Sequence, residues 1–520
     1  MPQSAMKDFK NEPFTDFTKG VNATAMREAL MRCRQQLGSH HPLWIDGEDE
    51  DGSKRIASVN PSRLSEVVGT VASASSKQAL KAIESAHKTF ETWKRVPWAE
   101  RSALLTRTAT LLRKRKHDFS ALLVLEVGKS WAEADGDTAE AIDFLEFYAR
   151  LALEMAQPRA LIPVKGEANR LEYIPLGVTT VIPPWNFPLA ILCGMTAAAI
   201  VCGNTVVLKP SSDAPVVAAA FVKLLREAGL PGGVVNFCPG SGSEIGDSLV
   251  DHPLVRLISF TGSKDIGLRI VERAGKTHKG QQWIKRVVAE MGGKDAILVD
   301  KDCDLDAAVS GTVASAFGFS GQKCSACSRV IVHADRHKEF TAKLVEAVQS
   351  RVTVGPVEDN RHFMGPVVSQ GAHRTIMAYI EAGRKEGKLL TGGKAGNPEG
   401  FFIEPTVFDA VKPKARIACE EIFGPVLAVM KCADFEEGLN IVNATDFGLT
   451  GAVYSTDKEH LAMAERDFHV GNLYLNRKCT GALVGAHPFG GFNMSGTDSK
   501  AGGYDYLQLF TQAKMISAKI

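Results

Sequence analysis

In the stretch SSKQALKAIESAHKTFETWK, apolar positions recur at Leu80, Ile83, Ala86, Phe90 and Trp93, three and four residues apart as on one helix face. The leading serines predict its N-cap. A similar amphipathic stretch over 100–129 predicts a second helix, and the polar start of the chain, to about residue 40, reads as a helical arm. From Gly177 the period changes. The β-branched runs VTTVI, NTVVLKP, GVVNF and VRLISFTGS alternate with Ala/Leu-rich segments, the pattern of a parallel sheet with crossover helices. A second series runs from DAILVD through RVIVH and ARIACEEIFGPVLAVM to GNLYLN. The expectation is two α/β domains in tandem, meeting near residue 290. Residues 160–177, ALIPVKGEANRLEYIPLG, resemble an inserted hairpin with no core of its own. An open edge of that kind needs a partner, and the strand-like tail YLQLFTQAKMISAKI predicts one in another subunit.

The chain has 520 residues, enough for two or three cores, and its 45% hydrophobic and 23% charged composition is that of a soluble globular protein. A net charge of +2, with no basic run interleaved with aromatics, argues against nucleic acid or an anionic membrane as partner. The start lacks the apolar core of a secretory signal, and the longest apolar run, LAILCGMTAAAIVC, is short of the roughly 20 residues that cross a bilayer. Ten scattered cysteines are not a disulfide framework, so a cytoplasmic setting is expected.

Chemistry enters with GFSGQKCSACSR, which holds Cys324 and Cys327. A metal clip needs four ligands and this motif supplies two; the other cysteines form no second pair, and no histidines sit at ligand spacing, so no metal is expected. A redox pair, two buried thiols, or one working thiolate remain open. Four further stretches carry suggestive residues. IPPWNFP sets Trp185, Asn186 and Phe187 in a rigid turn after a predicted strand, and VVLKPSS ends the next strand at Lys209. SFTGSKDIG puts Gly262, Ser263 and Gly267 at a helix start, where N–H groups can receive a phosphate, and AEMGGKD carries Glu290 before paired glycines.

The ordered motifs PWNFP, LKP, FTGS, EMGGK, GQKCSACSR, EEIFGPV and PFGGFNMSG, from about residue 40 to the end, resemble the aldehyde dehydrogenase family. NEPFTDF, TAEAIDFLEFYAR, QKCSACSR, TGALVG and PFGGFNMSGTDSKAGG resemble most the branch that oxidises L-glutamate γ-semialdehyde, in equilibrium with 1-pyrroline-5-carboxylate, to glutamate in proline degradation. The resemblance implies an α/β fold with a Rossmann-type cofactor domain, an α/β catalytic domain and a small β oligomerisation flap. Its boundaries are an arm and first cofactor segment at 1–157, a hairpin at 158–176, and a second cofactor segment at 177–289. The catalytic domain follows at 290–488, and a return segment with a C-terminal strand at 489–520.

By the same resemblance Cys324 is the nucleophile and Glu290 the general base, with Asn186 and the Cys324 N–H as oxyanion donors. NAD would lie on Trp185, Lys209, Ser212, Gly242, Gly262, Ser263, Gly267, Glu421 and Phe423. The substrate would meet Phe187, Ser325, Gly481, Ala482 and Phe489, with Glu140 toward its ammonium group. Cys327 becomes a bystander, and a homo-oligomer is implied. The chemistry suits these residue types. A thiolate adds to the aldehyde, donors hold the alkoxide while hydride leaves, and a carboxylate activates water against the thioester. Many NAD-preferring members have a glutamate where Ser212 stands, so NADP is a second cofactor expectation. Competing readings are a related substrate such as succinate semialdehyde, a CxxC redox sensor, and a non-catalytic binding protein.

Overall fold

The computed structural model describes residues 8–159 and 161–520. Two seven-stranded sheets frame it. The first has the spatial order Arg286–Glu290, Val255–Thr261, Val178–Ile182, Thr205–Leu208, Val235–Phe237, Leu43–Ile45, Glu48–Glu50. From Arg286–Glu290 to Val235–Phe237 the strands run parallel. The chain builds outward from Val178–Ile182 to Val235–Phe237 and then returns to the other flank. Strand order therefore reverses between Val178–Ile182 and Val255–Thr261, the kind of crevice in which open α/β sheets bind ligands. The second sheet runs Lys388–Thr391, Thr406–Asp409, Val426–Cys432, Arg329–His333, Ala296–Val299, Thr450–Tyr454, Asn472–Leu475, all parallel except the first pair. Thr205–Leu208 and Ala296–Val299 are buried at every position, which is why they read as unbroken apolar runs.

Ser76–Trp93 is the expected helix, closed by a Ser75–Gln78 capping box. Its core face is Ala79, Ala82, Ile83, Ala86 and Trp93, while Leu80 is 39% exposed. Small residues let the helix settle closely on the sheet and turn the leucine outward. The stretch expected as one helix over 100–129 is two, Trp98–Lys114 and Lys116–Val127, broken at Arg115 and ended by Gly128 with φ 69. The arm is not helical over 8–18; its helix is Gly20–Arg34. Within ARIACEEIFGPVLAVM, Arg416–Cys419 is a helical turn and only Val426–Cys432 is strand. The expected hairpin is one strand, Glu167–Pro175. It pairs antiparallel with the tail strand Thr511–Lys519 of the same chain, not with another subunit's.

Candidate active site

Cys324 follows a loop in which Phe319 (φ 51), Ser320 (φ 58) and Gly321 (φ 68) are all left-handed. Two non-glycine residues in that region cost on the order of 1 kcal/mol or more each, so the surroundings must impose the shape. They do. Ser320 Oγ donates to Gly365 O at 2.8 Å, Gln322 Nε2 donates to Pro366 O at 3.2 Å, and Gln322 Oε1 accepts the Val368 N–H at 2.9 Å. A Cβ at Gly321 would stand 2.3 Å from Gly424 O. This bend brings Cys324 to the wall of a cavity of about 520 Å³. Cys327 faces the other way, into the core under the second sheet, with its thiol donating to Arg329 O at 3.2 Å.

The same cavity is lined by Glu290, Ser325, Phe187, Phe489, Glu140, Gly481 and Ala482. Asn186, buried behind the thiol loop, donates from Nδ2 to Gln322 O at 3.1 Å, which leaves its second N–H. Among the described residues the Cys324 N–H donates no hydrogen bond. The Gly481 and Ala482 N–H groups are equally unspent, and Gly481 is left-handed at φ 83. Phe187 is fixed from behind by the Lys129 ammonium, 3.8 Å from its ring centre, and Lys129 is paired with Asp137 at 2.8 Å.

Burial, more than any neighbour, pushes the Glu290 carboxyl up to about 8; the Ser499 hydroxyl and Gly491 N–H pull it back. Burial likewise raises Glu140 to about 8, with the Asp137 carboxylate adding to it. The Cys324 thiol is raised by burial first, then by the carboxylates of Asp295, Glu421, Glu290 and Glu140. Cys324, the raised Glu290 carboxyl and the unspent N–H groups of Gly481 and Ala482 thus line one pocket, with Asn186 outside its lining. That is the equipment for adding a thiol to a carbonyl and hydrolysing the product.

The aldehyde dehydrogenase family model matches residues 44–516. The chain belongs to the aldehyde dehydrogenase family. It is 56% identical over 512 residues to a 1-pyrroline-5-carboxylate dehydrogenase of Anoxybacillus flavithermus, covering 98% of this chain and 99% of that protein. To 1-pyrroline-5-carboxylate dehydrogenase 2 of Bacillus subtilis it is 54% identical over 509 residues, with the same coverage. A solved 1-pyrroline-5-carboxylate dehydrogenase from Thermus, with bound NAD, superposes with a TM-score of 0.98 at 51% identity, over 99% of this chain and 100% of that one.

The residues expected to hold the cofactor lie outside the cavity lining; Trp185, Lys209 and Gly262 follow strands of the first sheet, while Glu421 and Phe423 precede Val426–Cys432 of the second. Lys209, buried at the end of Thr205–Leu208, has one long contact, Nζ to Pro210 O at 3.5 Å. Glu421 accepts the Gly293 N–H at 3.1 Å and keeps acceptor capacity; it reaches in because Gly292 has no Cβ, which would stand 2.1 Å away. Trp185 and Phe423 meet edge to face at 5.4 Å. Among the described residues Lys209 has no acidic partner; its ammonium, the Glu421 carboxylate and the aromatic pair are groups that suit ribose hydroxyls and flat rings, so they fit a dinucleotide. Ser212 is exposed beside Asp213, and Gly242, also exposed, opens the π-helical turn Gly242–Gly246, whose Ile245 is buried. Gly262 and Gly267 differ from expectation: their N–H groups are taken by Glu290 O at 3.1 Å and Ser263 O at 3.0 Å. Gly267 instead lets Met291 pack, since a Cβ there would lie 2.4 Å from its sulfur. Ser263, exposed at the N-cap of Lys264–Ala274, starts the free N–H groups of that helix.

Sequence reading missed several residues that shape the pocket. Lys323, next to the nucleophile, pairs with Glu133 at 2.6 Å, and both line the cavity with Arg477 and Lys478. Gln322 and Ser499 are buried supports. Lys323 and Gln322 stand within QKCSACSR and Ser499 within PFGGFNMSGTDSKAGG, so their motifs were visible; their partners come from distant segments that no local pattern records.

Proposed function

We propose that this aldehyde dehydrogenase oxidises L-glutamate γ-semialdehyde to L-glutamate with NAD, the second step of proline degradation. The observation that carries the reading is the single cavity with Cys324 and Glu290 at one part of its wall and the unspent N–H groups of Gly481 and Ala482 at another. Those N–H groups suit the substrate's α-carboxylate, and the Glu140 carboxylate suits its ammonium group. Succinate semialdehyde would leave Glu140 without a partner. Phe187 and Phe489 flank the apolar stem.

In the reaction, the Cys324 sulfur bonds to the aldehyde carbon, and its proton passes to a carboxylate. The resulting alkoxide takes hydrogen bonds from Asn186 and the Cys324 N–H. Lys209, Glu421, Trp185 and Phe423 would hold NAD, which when bound would supply the hydride acceptor. Expulsion of hydride leaves a thioester on Cys324; Glu290 takes a proton from water, which adds to the thioester carbon, and glutamate leaves as the thiol reforms. Ser212 supports NADP as a second cofactor, to be compared by side-by-side kinetics. Ten free thiols suit a reducing cytoplasm, and no helix among the described residues is long and apolar enough to cross a membrane.

The test is NADH formation with pyrroline-5-carboxylate against succinate semialdehyde and simple aldehydes. The pyrroline substrate is expected to give the highest kcat/KM, and preference for a simple aldehyde would overturn the reading. Glu290→Gln should keep a stoichiometric NADH burst while steady turnover falls roughly 100- to 10,000-fold. Cys324→Ser should lose both.

A further inference from the structure

We infer that Ser499 is the positioning residue of the general base, its hydroxyl and the Gly491 N–H together fixing where the Glu290 carboxylate sits in the aldehyde cavity. The inference rests on Glu290 being that base. Ser499 Oγ donates to Glu290 Oε1, and the Gly491 N–H donates to Oε2 at 3.0 Å. Both oxygens are thus held from one segment, residues 490–499. That segment is locked to the strand bearing Glu290. Met291 N–H donates to Ser495 O at 2.7 Å, Thr497 N–H to Ala289 O at 2.9 Å, and Ala289 N–H to Thr497 Oγ1 at 3.0 Å. Glycines make the room: a Cβ at Gly490 would stand 2.8 Å from Oε1, and one at Gly496 3.0 Å from Oε2. Ser499 is 3% exposed, so its hydroxyl is screened from water that would compete.

The choice of a hydroxyl has a chemical consequence. A base must be held both before and after it takes a proton. An ammonium partner would favour the anion and weaken the base. A serine O–H donates to the carboxylate and, after rotation, accepts from the carboxylic acid. The nearby ammonium of Lys500 is spent elsewhere, on Gly471 O at 2.7 Å and Gly490 O at 2.5 Å, where it pins the loop. The other titratable groups that face Glu290 are Asp498 on the same segment, Cys324 across the cavity, and Tyr506 from the following turn.

The experiment follows the NADH burst and steady-state turnover against pH for the full-length enzyme and its Ser499→Ala, Ser499→Thr, Glu290→Gln and doubly substituted Glu290→Gln/Ser499→Ala variants. Ser499→Ala should keep the burst amplitude and the KM for NAD. Its steady-state turnover at neutral pH should fall roughly tenfold, and its acid limb should move to higher pH, because the anion loses a donor. Ser499→Thr should restore the profile. In the Glu290→Gln background the alanine should add nothing. A loss in S499A equal at every pH and shared by the burst would overturn the inference. So would a loss that persists in the Glu290→Gln background, or a normal S499A beside an E290Q enzyme that stalls after its burst. Normal turnover by E290Q itself would remove the base assignment, and this inference with it.

Discussion

Cys324 sits among the carboxylates of Asp295, Glu421, Glu290 and Glu140, and each raises its thiol on top of the effect of burial. Burial is the largest of these effects, so the resting site favours the neutral thiol. Glu290, at about 8, is also protonated in most molecules at neutral pH. A raised carboxyl is charged only above its own pKa, so the population able to act as base grows with pH. Turnover should therefore climb roughly tenfold per pH unit below about 8 and level off above it, as measured by initial rates at saturating substrate. A profile flat from slightly acidic to slightly alkaline pH would refute the role. At the far end of the pocket, Gly481 holds φ 83, which a β-branched residue tolerates poorly. Gly481→Val should raise the semialdehyde KM on the order of tenfold or more while sparing the KM for NAD, since one lost hydrogen bond to a charged group is worth about 1.5–3 kcal/mol.

At the scale of elements, the arm over 8–18 is strapped across the Trp131–Met155 helix by side chains far away in sequence. Asn11 Nδ2 donates to Asp143 Oδ2 at 2.8 Å and the Glu12 N–H to Oδ1 at 2.6 Å; the Thr15 N–H donates to Asp135 at 2.7 Å. Phe14 and Thr15 thereby join the cavity wall. These contacts were not legible: the arm's polarity suggested a helix, and nothing local in NEPFTDF or TAEAIDFLEFYAR says that one segment straps the other. The strands from Val178 onward were legible, because burial on both faces leaves an unbroken β-branched run. So were the motif residues at their ends, where Gly and Pro mark the turns. Asp143→Ala should cost about 1–3 kcal/mol by orphaning two donors, read as a lower Tm and faster proteolysis near residue 11. Burial raises Asp143 to about 6, so its protonated form is the one the fold favours. Its stabilising contribution is full below the ordinary carboxylate range and declines as pH rises through about 6. The penalty of the substitution should accordingly be larger in mild acid than at alkaline pH.

For the whole molecule, the question is what covers the two-stranded sheet of Glu167–Pro175 and Thr511–Lys519. A two-stranded ribbon is marginal alone in water, and among the described residues both of its outer edges are unpaired. Ile162 is 88% exposed beside it, and Met515 62%. A second copy of the chain would cover these edges by extending a sheet, the closed symmetric arrangement most soluble oligomers adopt. The tail's first residues have a separate duty. Arg286, which begins the strand ending in Glu290, donates to Leu509 O at 2.6 Å and Thr511 O at 2.9 Å. A truncation must spare them, so the informative variant removes residues 513–520 only. The full-length protein is expected to sediment as a dimer or larger and the truncated form as a single chain, while Arg286 still steadies the base strand. If the full-length protein itself sediments as one chain, the exposed ribbon is not an assembly surface; if the truncated form keeps the larger mass, the contact between copies lies elsewhere.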